Sequence, residues 1–437
     1  MRNIVEKSFV VFALLFFADA ALSLVTNPHR DLDMFDPMAS DPVKSAVALS
    51  VYLVLLAFGL LQYNALIAAF QRNKLLVSLL LLSVVSASWS PEPASSAKRA
   101  VLLLATTLFG AYFAVRFEPL EQLKLLAVTM VIAIGASFAC ALCIPAYGTQ
   151  PELRVAWRGI FSHKNQLGRF AALGVIVFFF MSKQPRSRSW FWNTAIVFAL
   201  GAVVLSRSAG AVVVLVAVGV VFMVLRLFRL PQRFRIEAAC ISLALVTGAA
   251  ALMGGSMESV FKLLGRDATL TGRTEIWSAL AGPISRHLWF GYGYSGFWLG
   301  PGSESESVTK QVDWAVQYAH NGFLDVTLQL GCIGATIFVL LLLQYFIRAL
   351  RSARAQRAYL CFWPLCYFAF VFLYNFTDSL IVDHNDVFWV LFVGIGLRIG
   401  QTDVRSDRPV LARIPYNSLA SVQILGGPST PSSLGKI

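Results

Sequence analysis

Apolar runs long enough to cross a lipid bilayer recur along most of this chain. A hydrocarbon core of roughly 30 Å requires about 20 mostly apolar residues in a helix. Because backbone N–H and C=O groups cannot bond to lipid, such runs form helices. The runs lie near residues 8–25, 45–70, 74–89, 97–116, 121–145, 166–182, 189–206, 210–228, 236–253, 320–349, 359–376 and 385–400. The sequence therefore predicts an all-α, polytopic membrane protein with about twelve transmembrane helices.

The composition fits a membrane protein and argues against a nucleic-acid-binding one. Of the 437 residues, 57% are hydrophobic and 14% are charged, and the mean hydropathy is +0.68. A soluble domain of this size carries more charge. The net charge of +13 comes from basic residues in short segments between the apolar runs, where membrane orientation and lipid headgroups account for them. We expect membrane lipids, and no nucleic acid, as partners.

The basic residues also predict the orientation of the chain. Lys and Arg side chains cluster around residues 183–188, 226–235 and 348–357, which marks these segments as cytoplasmic. Both termini are then cytoplasmic. The predicted divisions are transmembrane helices in 1–253, a long periplasmic loop over 254–319, transmembrane helices in 320–400 and a cytoplasmic tail over 401–437. The tail is rich in Ser, Pro and Gly, a composition typical of disorder.

Two of the predicted periplasmic segments carry cations against this orientation bias. The cations are Arg154, Arg158, Lys164 and Arg169 in the first segment, and Lys262, Arg266, Arg273, Arg286 and Lys310 in the second. An anionic substrate on that face would explain them, because fixed guanidinium groups can grip phosphate bidentately. For any single position, an ordinary solvated loop cation is the alternative.

The first candidate motif leads from a loop directly into an apolar helix. It reads RVAWRGIFSHKNQLG over residues 154–168. His163, Lys164 and Asn165 stand where the helix begins, and exposed N–H groups and the helix dipole favour an anion there. The motif therefore predicts an anion-binding site at the membrane surface.

A second candidate motif, LTGRTEIW over 270–277, contains Arg273 and reads as a helix start with Thr271 or Thr274 available as a cap. A third motif, YAHNGFLD over 318–325, opens the next long apolar run. On a helix, Asn321, Asp325 and Gln329 form one polar stripe.

His320, in the third motif, has an intrinsic pKa suited to taking a proton near neutral pH. The alternative for this residue is a helix-cap or packing histidine.

These motifs, in this order, resemble the O-antigen ligase and polysaccharide polymerase superfamily. The pairing of RGIFSHKNQLG with AHNGFLDVTLQLG looks most like its exopolysaccharide polymerases of the succinoglycan type, and the segment NFTDSLIVDHN over 375–385 fits as well. The resemblance extends over residues 70–400 and implies a glycosyltransferase of the C-type fold in the bacterial inner membrane. The implied donor is an oligosaccharide on undecaprenyl pyrophosphate, transferred with inversion and without a metal or other cofactor.

The resemblance also implies roles for individual residues. Two arginines and a histidine serve the reaction in such proteins, and by motif position these are Arg158, Arg273 and His320, with Arg154 a rival for the first place. His320 would be catalytic. The residues implied in substrate binding are Arg158, Arg273, Arg154, His163, Lys164, Asn165, Asn321 and Asp325. A flippase and a chain-length regulator are the protein partners to expect.

Three functions remain open on the sequence. A polymerase would join lipid-linked repeat units, a ligase would pass the glycan to a lipid or protein acceptor, and a transporter or flippase would share only the helix count. Transporters place ionisable groups within the membrane, where Asp19 is the main candidate here. Asp31 and Asp33 mimic a metal-binding DxD motif, but such a short pattern occurs by chance in acidic turns. The sugars, their linkage and the acceptor are not readable from the sequence.

Overall fold

The computed structural model of the chain describes residues 2–20, 42–150, 155–227, 272–314, 316–355 and 358–406. These residues form helices joined by turns, and within them the one β-type pairing is an isolated bridge between Thr149 and Trp157. The prediction of an all-α, multi-pass membrane protein is confirmed.

The described helices lie in predicted apolar runs and in the predicted loop over 254–319. They are α1 (Arg2–Phe17), α2 (Pro42–Leu60), α3 (Tyr63–Gln71), α4 (Lys74–Val85), α5 (Pro93–Arg116), α6 (Pro119–Cys143), α7 (Lys164–Ser182), α8 (Ser189–Leu205), α9 (Ala209–Leu227), α10 (Arg273–Arg286), α11 (Glu304–Val312), α12 (Gly322–Ala355), α13 (Trp363–Tyr374) and α14 (Val387–Ser406). Short helical turns occupy Ser86–Trp89, Pro145–Gly148 and Tyr359–Phe362. Helix α14 therefore continues past residue 400, where the sequence predicted the start of the tail.

Six of the described helices, α2, α5, α6, α7, α9 and α12, are long and apolar enough to cross a membrane. Helices α3 and α4, with the turn that follows α4, form a pair bent by 94° that would make a seventh span. Three shorter apolar helices lie at Ser189–Leu205, Tyr359–Tyr374 and Val387–Ile399. The prediction of about twelve spans is not confirmed, and its run over 236–253 lies outside the described residues.

The apolar run over 45–70 is not one helix, contrary to the prediction. Helix α2 ends at Leu60, and α3 begins at Tyr63 after a turn closed by the Gln62 N–H bond to the Gly59 carbonyl, 2.8 Å. Hydropathy could not reveal this turn because the residues on both sides of it are apolar.

One large apolar core joins the helices of the bundle, and large buried aromatic side chains fill it. Helix α14 packs closely along α5 because Gly110 leaves room for the partner backbone. A Cβ atom on Gly110 would lie 2.8 Å from the Val390 carbonyl oxygen. This packing holds the start of α14 beside the starts of α7 and α12. We call this end of the bundle the site end.

A smaller unit, formed by α10, α11 and the segment between them, packs on the site end. It has its own apolar core, which includes Leu280, Tyr292, Phe297 and Val308. This unit falls within the predicted loop over 254–319, so the described part of that loop is folded.

The smaller unit is anchored in a break of helix α12. Gly331 has a φ of 66°, and a Cβ atom there would lie 2.1 Å from the Trp289 carbonyl oxygen. The Tyr292 N–H donates to the Leu328 carbonyl, and the Cys332 N–H donates to the Leu288 carbonyl, both at 2.8 Å. The loop backbone thus takes the place of the missing helical hydrogen bonds. Tyr292, Tyr294 and Phe297 of this segment are buried, whereas Trp289 and Phe290 are exposed.

Candidate functional site

His320 and Asp378 lie side by side at the site end, although 58 positions separate them in the chain. The His320 Nδ1 atom is 3.9 Å from Asp378 Oδ1. This distance is too long for a hydrogen bond, and the buried Nδ1 atom has no hydrogen-bond partner among the described residues. The His320 ring rests on Tyr318, with 4.2 Å between ring centroids. His320 is therefore held in place by packing, with one polar atom left unpaired.

A glycine explains why these two segments meet. The Gly322 N–H donates to the Asn375 carbonyl at 2.9 Å. A Cβ atom on Gly322 would lie 1.9 Å from Asn375 Oδ1, so any other residue at position 322 would push the two segments apart. The Asn375 side chain is itself fixed, because its Oδ1 accepts from the Leu380 N–H at 3.1 Å and its Nδ2 donates to the Val371 carbonyl at 2.6 Å. The two motifs are thereby locked together.

The backbone at His320 is unusual. His320 has a φ of 49°, in the left-handed region that costs a residue with a Cβ about 1 kcal/mol. The cap of α12 is supplied by the next residue, since Asn321 Oδ1 accepts from the N–H groups of Phe323 (3.0 Å) and Leu324 (3.3 Å). The helix-cap alternative for His320 is therefore wrong.

Arg169, one turn inside α7, completes the buried charge cluster. Its Nη1 atom lies 3.4 Å from Asp378 Oδ2, and its guanidinium stands 5.2 Å from the centre of the Phe388 ring. Asp386, just before α14, also interacts with the charge of Arg169. Arg169 is one of the cations in the first predicted periplasmic segment, but it was not among the predicted site residues. An ionisable residue within an apolar run was the signal that could have found it.

Arg273 stands at the first turn of α10, where Gly272 takes the cap position with a φ of 78° and no side-chain cap bond. Thr274 is therefore not the cap, and Thr271 lies outside the described residues. Helix α10 is tied to the site because the Trp277 indole N–H donates to the Ala319 carbonyl at 2.9 Å. The positive charge of Arg273 interacts electrostatically with the side chains of His320 and Tyr318. No carboxylate in the described part of the chain forms an ion pair with Arg273.

The three polar residues of the first motif meet the site at the start of α7. His163 caps the helix, with its Nδ1 accepting from the Asn165 N–H at 3.1 Å. Lys164 is buried, and its backbone N–H donates to Gln150 Oε1 at 3.4 Å. Asp378 and His320 both interact electrostatically with His163, so this helix start lies near the same cluster.

Arg158 is placed differently. Its Nε atom donates to the Tyr147 carbonyl at 2.7 Å, and its backbone N–H donates to the Gly148 carbonyl. Its side chain is half-buried, and this burial lowers its pKa. These interactions hold Arg158 near the end of α6. Arg154 lies outside the described residues, so the choice between Arg154 and Arg158 stays open.

Asp325 is fully engaged with protein groups. Its carboxylate accepts from the Trp298 indole N–H at 2.7 Å and from the Ala319 N–H at 3.1 Å, and it also accepts from the Ser379 hydroxyl. Gln329, the next member of the polar stripe, accepts from the Ser295 N–H at 2.9 Å. Asp325 therefore positions the segments that carry His320 and Asp378.

Burial decides the protonation of the histidines. Loss of solvent lowers the pKa of His320 to about 4, with Asp378 opposing the shift and Arg273 adding to it. Loss of solvent likewise lowers the pKa of His163 to about 4, and the Lys164 charge adds to this effect. The pKa of the neighbouring Tyr318 is raised far above its ordinary value by burial. At neutral pH both histidines are uncharged, and His320 is able to accept a proton.

Metal ligation has no support in the described ranges, which hold no group of three or more His, Cys, Asp or Glu side chains that could bind an ion. Asp31 and Asp33 lie outside those ranges. Metal independence stays a prediction.

Residues 194–339 match the family model described as O-antigen ligase. A relative, the exopolysaccharide production protein ExoQ of Rhizobium meliloti (strain 1021), is 24% identical over 320 residues, which cover 70% of this chain and 72% of the relative. The resemblance to the O-antigen ligase and polysaccharide polymerase superfamily is confirmed.

The O-antigen ligase match contains Arg273, His320, Asn321 and Asp325. His163 precedes the matched region and Asp378 follows it. The site thus combines side chains from the matched region with side chains that the fold brings to it from both flanks.

Proposed function

We propose that this chain polymerises exopolysaccharide repeat units by inverting glycosyl transfer from an undecaprenyl-pyrophosphate-linked donor. The observation that carries the proposal is the cluster at the site end, where a neutral histidine lies beside a carboxylate and near two arginines. His320, Arg273 and Asp378 come from motifs that resemble the O-antigen ligase and polymerase superfamily. Arg273 and His320 also lie in the region that matches the family model.

His320 is the proposed base. The acceptor hydroxyl oxygen attacks the anomeric carbon of the donor, and the hydroxyl proton passes to His320 Nε2. If Asp378 accepts the Nδ1 proton, it fixes the tautomer that leaves Nε2 free to take the proton. Closing the 3.9 Å separation to a hydrogen bond requires a movement of about 1 Å. Asp378 also stabilises the imidazolium that forms.

Arg273 is the proposed partner of the leaving group. As the bond between the anomeric carbon and the pyrophosphate oxygen breaks, its electron pair leaves with undecaprenyl pyrophosphate. The departing anion gains charge, and a fixed guanidinium neutralises that charge in the way a divalent ion does elsewhere. Arg273 has no carboxylate competing for it in the described part of the chain, whereas Arg169 is engaged with Asp378. The dipole of α7 also favours an anion near the start of that helix.

The proposal places the enzyme in the bacterial inner membrane with both termini cytoplasmic. The site end then faces the periplasm, where the smaller unit formed by α10 and α11 would be the described part of the periplasmic loop. A C-type arrangement with about twelve spans is part of the same proposal.

A ligase is the second candidate, because the matched family model carries that description. We favour the polymerase because the relative is named for exopolysaccharide production. Transport is less well supported. Asp19, the candidate for an ionisable group in the membrane, lies beyond the end of α1 and pairs with Lys44 at 2.8 Å.

The decisive experiment is incubation of the purified chain with a lipid-linked repeat unit, followed by sizing of the glycan. A ladder of repeat multiples that persists in excess chelator supports a metal-independent polymerase. A single transfer to an added lipid acceptor would instead support the ligase. Loss of the ladder on chelation, with recovery on adding a divalent ion, would overturn metal independence. No glycan growth, combined with lipid-linked oligosaccharide flux in liposomes, would replace the enzyme with a transporter.

A further inference from the structure

A groove of about 610 Å³ lies on the smaller unit, away from His320. Its volume is within the range of roughly 300–1,000 Å³ found for small-molecule clefts. The lining residues that matter here are Trp89, His287, Tyr292, Glu304, Ser307 and Lys310. We call it the α11 groove, because Glu304, Ser307 and Lys310 belong to α11.

The α11 groove presents flat rings that are fixed in place. The His287 ring packs on Tyr292, with 4.2 Å between centroids. The Trp89 indole N–H donates to the Phe290 carbonyl at 3.3 Å, and the two rings of this pair meet edge to face at 5.7 Å. Rings held in this way offer apolar faces at little entropic cost. The C–H face of a sugar ring is the complementary surface.

The charges of the α11 groove are balanced within the protein. Glu304 pairs with Arg286 at 2.6 Å. Glu306 pairs with Lys310 at 2.7 Å and accepts from the Gly302 N–H at 2.8 Å. Paired carboxylates and serine hydroxyls can still exchange hydrogen bonds with sugar hydroxyls. The groove therefore differs from the cation-bearing site at His320 and fits an uncharged ligand better than a phosphate.

Helix α10 runs from the site near His320 to the α11 groove. Arg273 begins it beside the site, and His287 follows its last residue at the groove. With 14 residues, α10 separates the two by about 20 Å. A pyrophosphate-linked oligosaccharide of several sugar rings, extended from the site, reaches that far.

We infer that the α11 groove is a saccharide subsite that binds an uncharged stretch of oligosaccharide remote from the sugar bond being formed. This inference rests on the proposed function and names the part of the substrate that the smaller unit recognises. Trp89 and His287 would stack on sugar rings, and the polar side of α11 would bond to their hydroxyl groups.

The test measures binding without turnover. The probe is the phosphate-free oligosaccharide that mild acid releases from the lipid-linked repeat units of the source bacterium. It is labelled at its reducing end. The full chain is held in nanodiscs. Trp89→Ala should weaken probe binding about tenfold, the scale of one lost aromatic contact. Trp89→Phe should retain most of the wild-type affinity, because it keeps an aromatic ring at this position. Ser307→Trp should abolish binding by filling the groove, and it should leave the fold intact because Ser307 is exposed. Trp289→Ala is the matched control, since Trp289 is 64% exposed and does not line the groove.

The outcomes separate this inference from the proposed function. His320→Ala should bind the probe as wild type does, because the groove does not include the site. No binding to wild type, or equal binding to wild type and Ser307→Trp, would overturn the saccharide subsite even if a polymer ladder forms. Groove-dependent binding without any ladder would support the saccharide subsite and remove the polymerase.

Discussion

His320 Nδ1 stands 3.9 Å from Asp378 Oδ1, close enough for the carboxylate to act on the ring but too far for a hydrogen bond. Both side chains are mostly buried, and the contact between Gly322 and Asn375 holds their segments together. In the proposed mechanism, this pair would take up the proton of a bound acceptor.

Removing the proposed base should impair turnover more than binding. We expect His320→Ala to lower the rate by roughly 10²–10⁴-fold, the range typical of a positioned general base. Donor affinity should stay near that of wild type, because in this proposal the donor pyrophosphate contacts Arg273 and not His320. Turnover and binding of lipid pyrophosphate are measured on the same preparation. Near-normal turnover would reduce His320 to a packing residue.

Arg273→Lys should produce a different defect. Lysine keeps the positive charge but lacks the planar fork that grips pyrophosphate, so both turnover and donor affinity should fall. Arg351→Lys is the matched control, because Arg351 is exposed near the far end of α12. If Arg273→Lys and the control retain equal donor affinity, Arg273 does not hold the pyrophosphate.

The pH profile should reflect the lowered pKa of His320. The base must be neutral, and it is neutral above its pKa of about 4, so kcat/KM of wild type should change little between pH 7.5 and 5.5. Arg273 contributes to lowering this pKa. Arg273→Gln should therefore raise it and move the acid limb of the residual activity to higher pH. An acid limb near the ordinary histidine value of about 6.5 in wild type would contradict the assignment.

The pair formed by Arg169 and Asp378 should matter for stability. Breaking a buried ion pair typically costs about 3–5 kcal/mol, because one charge is left uncompensated. We expect Arg169→Gln to lower the melting temperature in detergent, and the double variant Arg169→Gln/Asp378→Asn to recover part of the loss. Recovery should be incomplete because Asp386 also interacts with Arg169. Additive losses in the double variant would mean that the two side chains are not coupled.

Topology is testable with reporter tags. Tags placed after Arg188, Arg233, Arg354 and the C-terminus should report the cytoplasm, since Lys and Arg accumulate there. A tag near Ser305, in α11, should report the periplasm. A cytoplasmic signal near Ser305 would put both the site and the α11 groove on the wrong side for a periplasmic polymerase.

The sequence alone determined the class of fold and the family resemblance. Long apolar runs require helices in lipid, and the order of the motifs carried the resemblance that comparison confirmed. Sequence reasoning also singled out His320 and Arg273, because the motifs that contain them resemble those of the superfamily.

Tertiary structure decided which of those residues lie together. The partnership of His320 with Asp378 depends on the close approach of Gly322 to Asn375, a contact between distant segments that no local pattern encodes. The break of α12 at Gly331 likewise depends on hydrogen bonds supplied by the loop around Trp289. Local sequence fixes helix formation because its bonds run between near neighbours, whereas the site is assembled by contacts that only the packed chain can make.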